Sequence, residues 1–483
     1  MDSRTRAIVA VAAAGVASLL SGGATAGAST QATLLASSGW GAAIEVPGIA
    51  ALAPGGGATI TSVSCGSAGS CSAGGDYALH PGSPATEAFV VSQVGGTWHK
   101  AIEVPGTAAL NRGVQAQVTS VSCGSAGNCS AGGYYLDGSS NFQAFVVSEI
   151  HGTWGKAIEV PGTAALSQGG TAVLDSVSCS SAGNCSAGGS YFNNSIGTQA
   201  FVVNQVGGTW HKAMKVPGTA ALNQGREAQL GTVSCASAGN CSAGGSYANT
   251  IVVQAFAVSE VGGTWHKAIE VPGTAALNRG AQAEISSVSC ASAGNCSAGG
   301  SYADGSGGFQ SFVVSQANGT WDKAIEVPGT AALNQGGDDF PSEVSCGAAG
   351  NCSAGGFYLG GLGQQAFVVN QVGGTWQKAI KVPGTAALNH GTATLNSVSC
   401  TSAGNCSAGG FYADGSNNEQ AFVVSQVGGT WHKAIEVPGT AALNKNGQAH
   451  ILSVSCTSAG HCSAGGTYAD GSDVIQAFVV SQT

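Results

Sequence analysis

Charged side chains are scarce in this chain. Only 8% of its 483 residues are Asp, Glu, Lys or Arg, and aromatic residues make up 6%. The formal net charge of -9 is spread thinly, and no run or stripe of Lys and Arg occurs, which argues against nucleic-acid binding. No apolar segment reaches the roughly 20 residues that a membrane-spanning helix requires. Regularly spaced apolar positions nevertheless indicate a folded protein rather than a disordered one.

The first 28 residues have the layout of a secretory signal peptide. Arg4 and Arg6 precede an apolar run at 7–20, and small residues at 24–28 offer cleavage sites. The run is too short to span a bilayer. We therefore expect residues 1–28 to be a signal peptide and residues 29–483 to form the mature, secreted protein. The richness in Ala and Gly is typical of a high-GC bacterial genome.

A unit of about 56 residues repeats eight times and accounts for almost all of the mature chain. Its most constant stretch reads SVSCASAGNCSAGG at 287–300, a Trp recurs once in each unit, and the period of the repeat is 54 to 58 residues. Such a repeat has to be assigned before domains are counted, and we predict a single repeat domain. Each copy holds two cysteines, and the pairs are Cys65 and Cys71, Cys123 and Cys129, Cys179 and Cys185, Cys235 and Cys241, Cys290 and Cys296, Cys346 and Cys352, Cys400 and Cys406, and Cys456 and Cys462.

These cysteine pairs predict eight local disulfides. Short, identical spacings outside the reducing cytosol are typical of disulfide-bonded proteins, and each short loop contributes on the order of 2 kcal/mol to stability. A zinc site would need a second pair of ligands, which the repeat lacks. We therefore expect no metal and no cofactor.

Each repeat contains four short segments with the composition of β-strands, which we name A to D. In the fifth copy they are A (265–271), B (285–290), C (296–302) and D (310–316). The B–C, C–D and D–A links have the Gly-rich or Asp-Gly chemistry of hairpin turns. Only the A–B link is long, at about a dozen residues. No window shows helical periodicity.

Three hairpins followed by one long link are typical of a β-propeller blade. The long link then joins the outer strand of one blade to the inner strand of the next, so that B, C, D and A run from axis to rim. Strand A carries most of the strand charge, as expected of an exposed sheet edge. The chain begins with strand A at 40–46 and ends with B, C and D. We therefore predict an all-β fold, a single eight-bladed propeller of four-stranded blades over residues 29–483. In this propeller the N-terminal strand completes the last blade. A linear solenoid is the alternative fold.

The repeat resembles the Asp-box and photosystem-assembly-factor type of propeller repeat. The likeness rests on a strand ending in Ala-Gly-Gly and a strand leading into Gly-Gly-Thr-Trp, and it covers all eight copies, from about Trp40 to Thr483. The sequence departs from the Asp-box at 92–98, where Val94 replaces the acid and one residue is missing. The repeat is also similar to the Cys-paired repeats of uncharacterised secreted bacterial proteins. These resemblances imply a propeller fold but no particular activity.

Positions that differ between the copies are the candidates for a specific site, because residues present in every blade cannot all serve one asymmetric site. They collect in the A–B links. Three arginines could bind an acidic sugar through bidentate hydrogen bonds, as the Asp-box likeness to sialidases also suggests, and the adjacent acids could serve glycosidase or calcium chemistry. Exchange with Gln or Lys in other copies favours solvated surface positions instead. The candidates are Arg112, Arg226, Arg279, Asp338, Asp339, His390 and Lys445.

The sequence contains no Ser-His-Asp, P-loop, HExxH or dinucleotide-binding pattern in a supporting context. The repeated tryptophans could stack on sugars, but their regular spacing favours packing between blades. We therefore hypothesise a secreted, monomeric, non-enzymatic binding or scaffold protein, which contacts an extracellular glycan or protein through the A–B links and has no catalytic residues. A polysaccharide-active glycoside hydrolase or lyase, acting near Arg226 and Asp338, is one alternative. A purely structural surface protein is the other.

Overall fold

The four strand segments of each repeat fold into one antiparallel sheet, and eight such sheets surround a common axis. This computed structural model describes residues 39–168, 170–335, 337–361 and 363–482. The predicted signal peptide lies outside the described residues. Within them, no helix is long and apolar enough to cross a membrane. The eight-bladed propeller predicted from the sequence is confirmed.

The first strand of each blade contacts the first strands of both neighbouring blades and therefore lies at the axis. It pairs with the second strand, and the second with the third, which confirms the predicted order from axis to rim. The inner strands are β2 (Ala58–Ser67), β7 (Ala116–Ser125), β12 (Ala172–Ser181), β17 (Ala228–Ser237), β22 (Ala283–Ser292), β27 (Asp339–Ala348), β32 (Ala393–Ser402) and β37 (Ala449–Ser458). The second strands are β3 (Ser70–Ala78), β8 (Asn128–Leu136), β13 (Asn184–Asn193), β18 (Asn240–Asn249), β23 (Asn295–Ala303), β28 (Asn351–Gly360), β33 (Asn405–Ala413) and β38 (His461–Ala469). The third strands are β4 (Thr86–Val94), β9 (Phe142–Ile150), β14 (Gly197–Val206), β19 (Val252–Val261), β24 (Phe309–Ala317), β29 (Gly363–Val372), β34 (Glu419–Val427) and β39 (Ile475–Ser481).

The outer strand differs from the continuous strand A expected from the sequence. It consists of two short pieces that both pair with the third strand, and the outer strand has one extra residue between them. This bulge breaks the exposed edge of each blade, which hinders pairing with other chains. The pieces are β5 (Thr97–Trp98) and β6 (Ile102–Glu103), β10 (Thr153–Trp154) and β11 (Ile158–Glu159), β15 (Thr209–Trp210) and β16 (Met214–Lys215), β20 (Thr264–Trp265) and β21 (Ile269–Glu270), β25 (Thr320–Trp321) and β26 (Ile325–Glu326), β30 (Thr375–Trp376) and β31 (Ile380–Lys381), and β35 (Thr430–Trp431) and β36 (Ile435–Glu436).

The eighth blade closes the ring with strands from both ends of the described chain. Strand β1 (Ile44–Glu45) pairs antiparallel with β39, and Trp40 forms a further bridge to Gln482. This is the closure predicted from the sequence, and it leaves no open sheet at either end of the repeat array.

Each A–B link contains one helical turn that sequence periodicity could not reveal, because four or five residues are too few to show a period. Gly106 precedes the turn with φ of 92°, a conformation that glycine adopts readily. The Thr107 hydroxyl then donates a hydrogen bond to the Val104 carbonyl. The turns are α1 (Ile49–Leu52), α2 (Thr107–Leu110), α3 (Thr163–Ser167), α4 (Thr219–Leu222), α5 (Thr274–Leu277), α6 (Thr330–Asn334), α7 (Thr385–Leu388) and α8 (Thr440–Leu443).

The apolar cores lie between neighbouring blades. A Cβ atom at Gly74 would come within 2.7 Å of Val118 in the next blade, and one at Gly75 would come within 1.7 Å of the Thr59 carbonyl oxygen. The repeated Ala-Gly-Gly segment is therefore required by close packing on both sides of the second strand. One phenylalanine of each third strand is fully buried in these cores: Phe89, Phe145, Phe201, Phe256, Phe312, Phe367, Phe422 and Phe478.

All cysteines form disulfides, and the eight predicted pairs are confirmed. Each bond joins directly opposite residues of the inner and second strands of one blade. It thus ties the two strands nearest the axis to each other. The bonds are Cys65 to Cys71, Cys123 to Cys129, Cys179 to Cys185, Cys235 to Cys241, Cys290 to Cys296, Cys346 to Cys352, Cys400 to Cys406, and Cys456 to Cys462.

The second-strand cysteine of every blade also contacts the preceding blade. Its sulfur is buried and lies 3.3 to 3.5 Å from a serine hydroxyl, which can donate to it, as Ser72 does to Cys129 at 3.5 Å. The disulfides therefore have a structural role both within and between blades. The cysteines in this position are Cys71, Cys129, Cys185, Cys241, Cys296, Cys352, Cys406 and Cys462.

The repeated tryptophans join neighbouring blades as well. All eight are buried, and the Trp154 indole N–H donates to the Ser92 hydroxyl of the preceding blade at 3.0 Å. Their position confirms packing between blades and leaves no indole face free to stack on a sugar.

A ring of side-chain hydrogen bonds holds the inner strands together. At every junction, two backbone N–H groups on the free edge of an inner strand donate to side chains of the preceding blade. The Val121 N–H donates to Ser62 at 3.0 Å, and the Cys123 N–H donates to Ser64 at 2.9 Å. Serine supplies the acceptor almost throughout, and Thr232 and Glu343 replace it at two junctions. The free strand edges at the axis are thereby satisfied.

Replacement of Ser176 by Ala should leave the Val233 N–H without its acceptor. We expect the free energy of unfolding to fall by about 1–3 kcal/mol. Ser176→Thr should be nearly neutral, since Thr232 accepts the Val288 N–H at the equivalent place. Denaturant unfolding of both variants with oxidised disulfides measures the difference, and equal losses would contradict the role of the hydroxyl.

A second inter-blade contact occurs at a bulge in the inner strand. The Thr119 hydroxyl donates to the Leu174 carbonyl of the next blade at 2.6 Å, and the Asn396 amide makes the corresponding bond to Ile451 at 2.8 Å. Asp175 occupies this position in the third blade. An ionised carboxylate cannot donate a hydrogen bond, and burial raises the pKa of the Asp175 carboxyl to about 7.

Asp175→Thr should therefore stabilise the protein, and more at pH 8 than at pH 4. Because the folded pKa lies above the ordinary value of 3.8, the destabilising effect of Asp175 is absent below about pH 4, grows up to about pH 7 and then stays constant. The gain should be on the order of 1–3 kcal/mol at pH 8. Unfolding of both proteins across this pH range measures it, with Thr119→Asp as the reciprocal variant. A gain that does not change with pH would contradict the assignment.

Candidate functional site

The propeller has two unlike faces. On one, the Cys hairpins contact the Gly-Gly turns, as in the hydrogen bond from the Gly96 N–H to the Gly69 carbonyl. On the other, the A–B links contact the turns between the second and third strands, as in the bond from the Gly113 N–H to the Leu136 carbonyl. We call this second surface, made of the A–B links and those turns, the connector face. It carries most of the differences between the repeats.

The candidates from the sequence lie on different parts of the connector face. Arg112, Arg279, His390 and Lys445 are exposed or partly exposed, and each belongs to a different A–B link. Each backbone lies beside the turn of the blade that follows, as the bond from the His390 N–H to the Ala413 carbonyl illustrates. The structure therefore distributes these side chains around the ring rather than grouping them in one site.

Arg226 also binds locally. Its guanidinium group donates to the backbone carbonyls of Asn194 and Ser195 at 3.2 and 2.9 Å. These contacts tie its link to the turn of the third blade. These two hydrogen bonds within the protein use part of the donor capacity of the guanidinium group.

The adjacent acids Asp338 and Asp339 lie at the junction of the fifth and sixth blades. The fully buried Asp339 accepts hydrogen bonds from the Ser311 N–H and the Asn334 amide, both at 2.7 Å. Burial raises the pKa of the Asp339 carboxyl to about 6. Asp338 accepts the Phe309 N–H at 2.7 Å. Both carboxyls thus fasten the link to the start of β24.

The sequence signal that identifies a cleft at this junction is aromatic rather than charged. A cleft of about 250 Å³ is lined by Val253, Gln282, Ala283, Glu284, Ser301, Phe309 and Phe340. The half-buried Phe340 ring lies between Phe309 and Phe357, with ring centroids 5.3 and 5.2 Å apart. The inner strands of most other blades have a polar residue at the position of Phe340: Thr59, Gln117, Gln229, Glu284, Thr394 and His450.

The small side chain of Ser301 contributes to the open space of this cleft. Tyr134, Phe357 and Phe411 occupy the equivalent position in three other blades. Phe411 stacks there on His450 of the next blade, with centroids 4.2 Å apart. A large ring at Ser301 would extend toward the same junction.

Acidic side chains lie in the cleft wall, at Glu284, and near its Phe309 side. A Cβ atom at Gly308 would lie 2.9 Å from Asp338 Oδ1 and 3.8 Å from Asp304 Oδ2, so both carboxyls flank the residue before Phe309. Hydrogen bonds from Ser306 keep the pKa of Asp304 below its ordinary value. Acids also outnumber bases in the described links and turns of the whole face. The acids are Asp137, Glu227, Asp304, Asp338, Asp414, Asp470 and Asp473, and the bases, apart from histidines, are Arg112, Arg226, Arg279 and Lys445.

Other acids with shifted pKa values serve the fold. Burial raises the pKa of Glu343 to about 7, and its carboxyl accepts the Ser397 hydroxyl and the Val398 N–H at the inner ring. Burial also raises the pKa of Glu260, which accepts hydrogen bonds from Ser186 and Asn204. Among the described residues, no group of three or more His, Cys, Asp or Glu side chains could hold a metal ion.

No protein-family model matches the chain, and no curated protein matches it. Solved structures do match. YCF48 from Cyanidioschyzon merolae is 13% identical over 76% of this chain and 96% of its own, with a TM-score of 0.41. An ulvan lyase, a polysaccharide lyase, is 10% identical over 92% and 94%, with a TM-score of 0.45. The β-propeller domain of the Trilobed protease from Pyrococcus furiosus is 7% identical over 79% and 97%, with a TM-score of 0.42. Identities of this size say nothing about function.

Proposed function

We propose that the protein is a secreted, non-enzymatic binding protein whose mature form, residues 29–483, recognises an extracellular glycan through the cleft on its connector face. The observation that carries this proposal is a cleft lined both by the partly exposed rings of Phe309 and Phe340 and by polar groups. Apolar walls with a few polar groups are typical of small-molecule sites. Phenyl rings can pack against the C–H face of a sugar, while Glu284 and Ser301 offer hydrogen bonds to its hydroxyls.

A glycan fits this cleft better than a protein surface does. Specific protein interfaces bury about 800 Å² on each partner, whereas the cleft has room for little more than one ring-sized group. The disulfides support a location outside the reducing cytosol. A protein partner contacting a wider part of the connector face is the alternative that binding measurements would reveal.

The contacts of the candidate residues favour binding over catalysis. Arg226 and Asp338 belong to different A–B links, and the Arg226 guanidinium is bonded to backbone carbonyls. The buried Asp339 carboxyl is occupied by hydrogen bonds within the protein. Paired carboxyls in glycosidases must instead face one substrate across a cleft.

Replacement of Phe340 by Thr should weaken glycan binding about tenfold by removing one aromatic wall. The fold should tolerate Thr, which stands at the equivalent positions 59 and 394. Tyr134→Ser is the matched control, because it removes an aromatic ring from the second blade and Ser190 is its equivalent in the third. Co-sedimentation of the mature protein with a panel of cell-wall and environmental polysaccharides measures the binding.

The same samples should be assayed for released sugar. Binding without product, weakened by Phe340→Thr but not by Tyr134→Ser, is the expected result. Release of product would overturn the proposal in favour of a hydrolase or lyase. Failure to bind any polysaccharide would leave the structural surface protein as the better description.

A further inference from the structure

The charges around the cleft also bear on the kind of sugar that it would take. Glu284 lies in its wall, and Asp304 and Asp338 flank the start of Phe309. Arg279 is the neighbouring base, and it lies against the turn at 304–308. The carboxylates exceed the guanidinium in charge, so the local field favours a cation and opposes an acidic sugar.

The hydrogen-bonding chemistry of the cleft has the same preference. An ionised carboxylate only accepts hydrogen bonds, and the strongest partners of a carboxylate are charged donors. Aromatic faces also attract ammonium groups. A ligand that combines a flat ring with an ammonium group would therefore match both the Phe309 and Phe340 rings and the Glu284 carboxylate.

We propose that the cleft recognises an amino sugar with a free, protonated amine, such as a glucosamine unit of a glycan. This inference rests on the proposed function and specifies its ligand. The pyranose ring lies against the aromatic wall, and the ammonium group lies on the Glu284 side. An acetylated amine lacks the charge, and a uronic acid carries the opposite charge, so both are weaker ligands.

The test compares three hexasaccharides of similar length at pH 5.5: glucosamine, N-acetylglucosamine and galacturonic acid. Titration calorimetry with the mature protein should give at least tenfold tighter binding for the glucosamine hexamer than for the N-acetylated one. The galacturonic acid hexamer should bind most weakly. Raising the salt from 50 to 500 mM should reduce the preference, because exposed charges are screened.

Two variants assign the effect to the cleft. Glu284→Gln should reduce the preference for the free amine several-fold, because it removes the negative charge and keeps a side chain that can bond to sugar hydroxyls. Asp473→Asn makes the same change of charge in the eighth blade as its control. Ser301→Phe should close the cleft and abolish binding of every sugar. Thr467→Phe introduces the same ring at the equivalent position of the eighth blade and should leave binding intact.

The outcomes separate this inference from the proposed function. Equal affinity for the free and acetylated hexamers, lost in Ser301→Phe, would overturn the amino-sugar assignment and retain glycan binding. The amino-sugar assignment would also be overturned if Asp473→Asn reduced the preference for glucosamine as much as Glu284→Gln does. The preference would then come from the charge of the whole connector face and not from the cleft. Binding of no glycan would overturn the proposed function itself. If Ser301→Phe fails to fold, Glu284→Gln still decides the assignment.

Discussion

The hydrogen bonds from inner-strand N–H groups to side chains of the preceding blade are the contact on which the ring depends. An inner strand has one partner in its own sheet and a free edge facing the axis, and unpaired buried N–H groups are costly. Serine hydroxyls such as those of Ser62 and Ser64 satisfy that edge from the preceding sheet. The glycines of the second strand permit the close approach of blades, and each tryptophan packs against a neighbour. Blade shape and blade contact are therefore encoded in the same repeat.

Much of the fold could be predicted because the signals repeat eight times. The paired cysteines indicated local disulfides, and the one long link among hairpins indicated the strand order. The incomplete strand set at each end predicted the closure of the ring. The role of the serines could not be predicted, because it depends on which strand edge faces which blade. The break in the outer strand, between β5 and β6, was also hidden, since an unpaired residue leaves no mark on so short a pattern.

The candidate site shows a clearer limit of sequence reasoning. Variation among the repeats drew attention to charged residues, and it did point to the link that contains Asp338 and Asp339. The variation among repeats could not show that Asp339 is buried and that its carboxyl accepts hydrogen bonds within the protein, because both depend on residues distant in sequence. Nor could it show that Phe340 stands beside a small Ser301, since these two side chains meet only across a junction. An aromatic residue at a position that is polar in most copies was the available signal.

The direction of the serine contacts has a consequence for assembly. Every junction joins two unlike surfaces, the side-chain acceptors of one blade and the strand edge of the next, so the interface is heterologous and closes only because eight equal rotations complete a circle. A polypeptide of one, two or four whole blades would carry one surface of each kind. Separate chains of that size thus possess the surfaces needed to build the same ring, a route by which an ancestral single-repeat oligomer could become one chain through duplication.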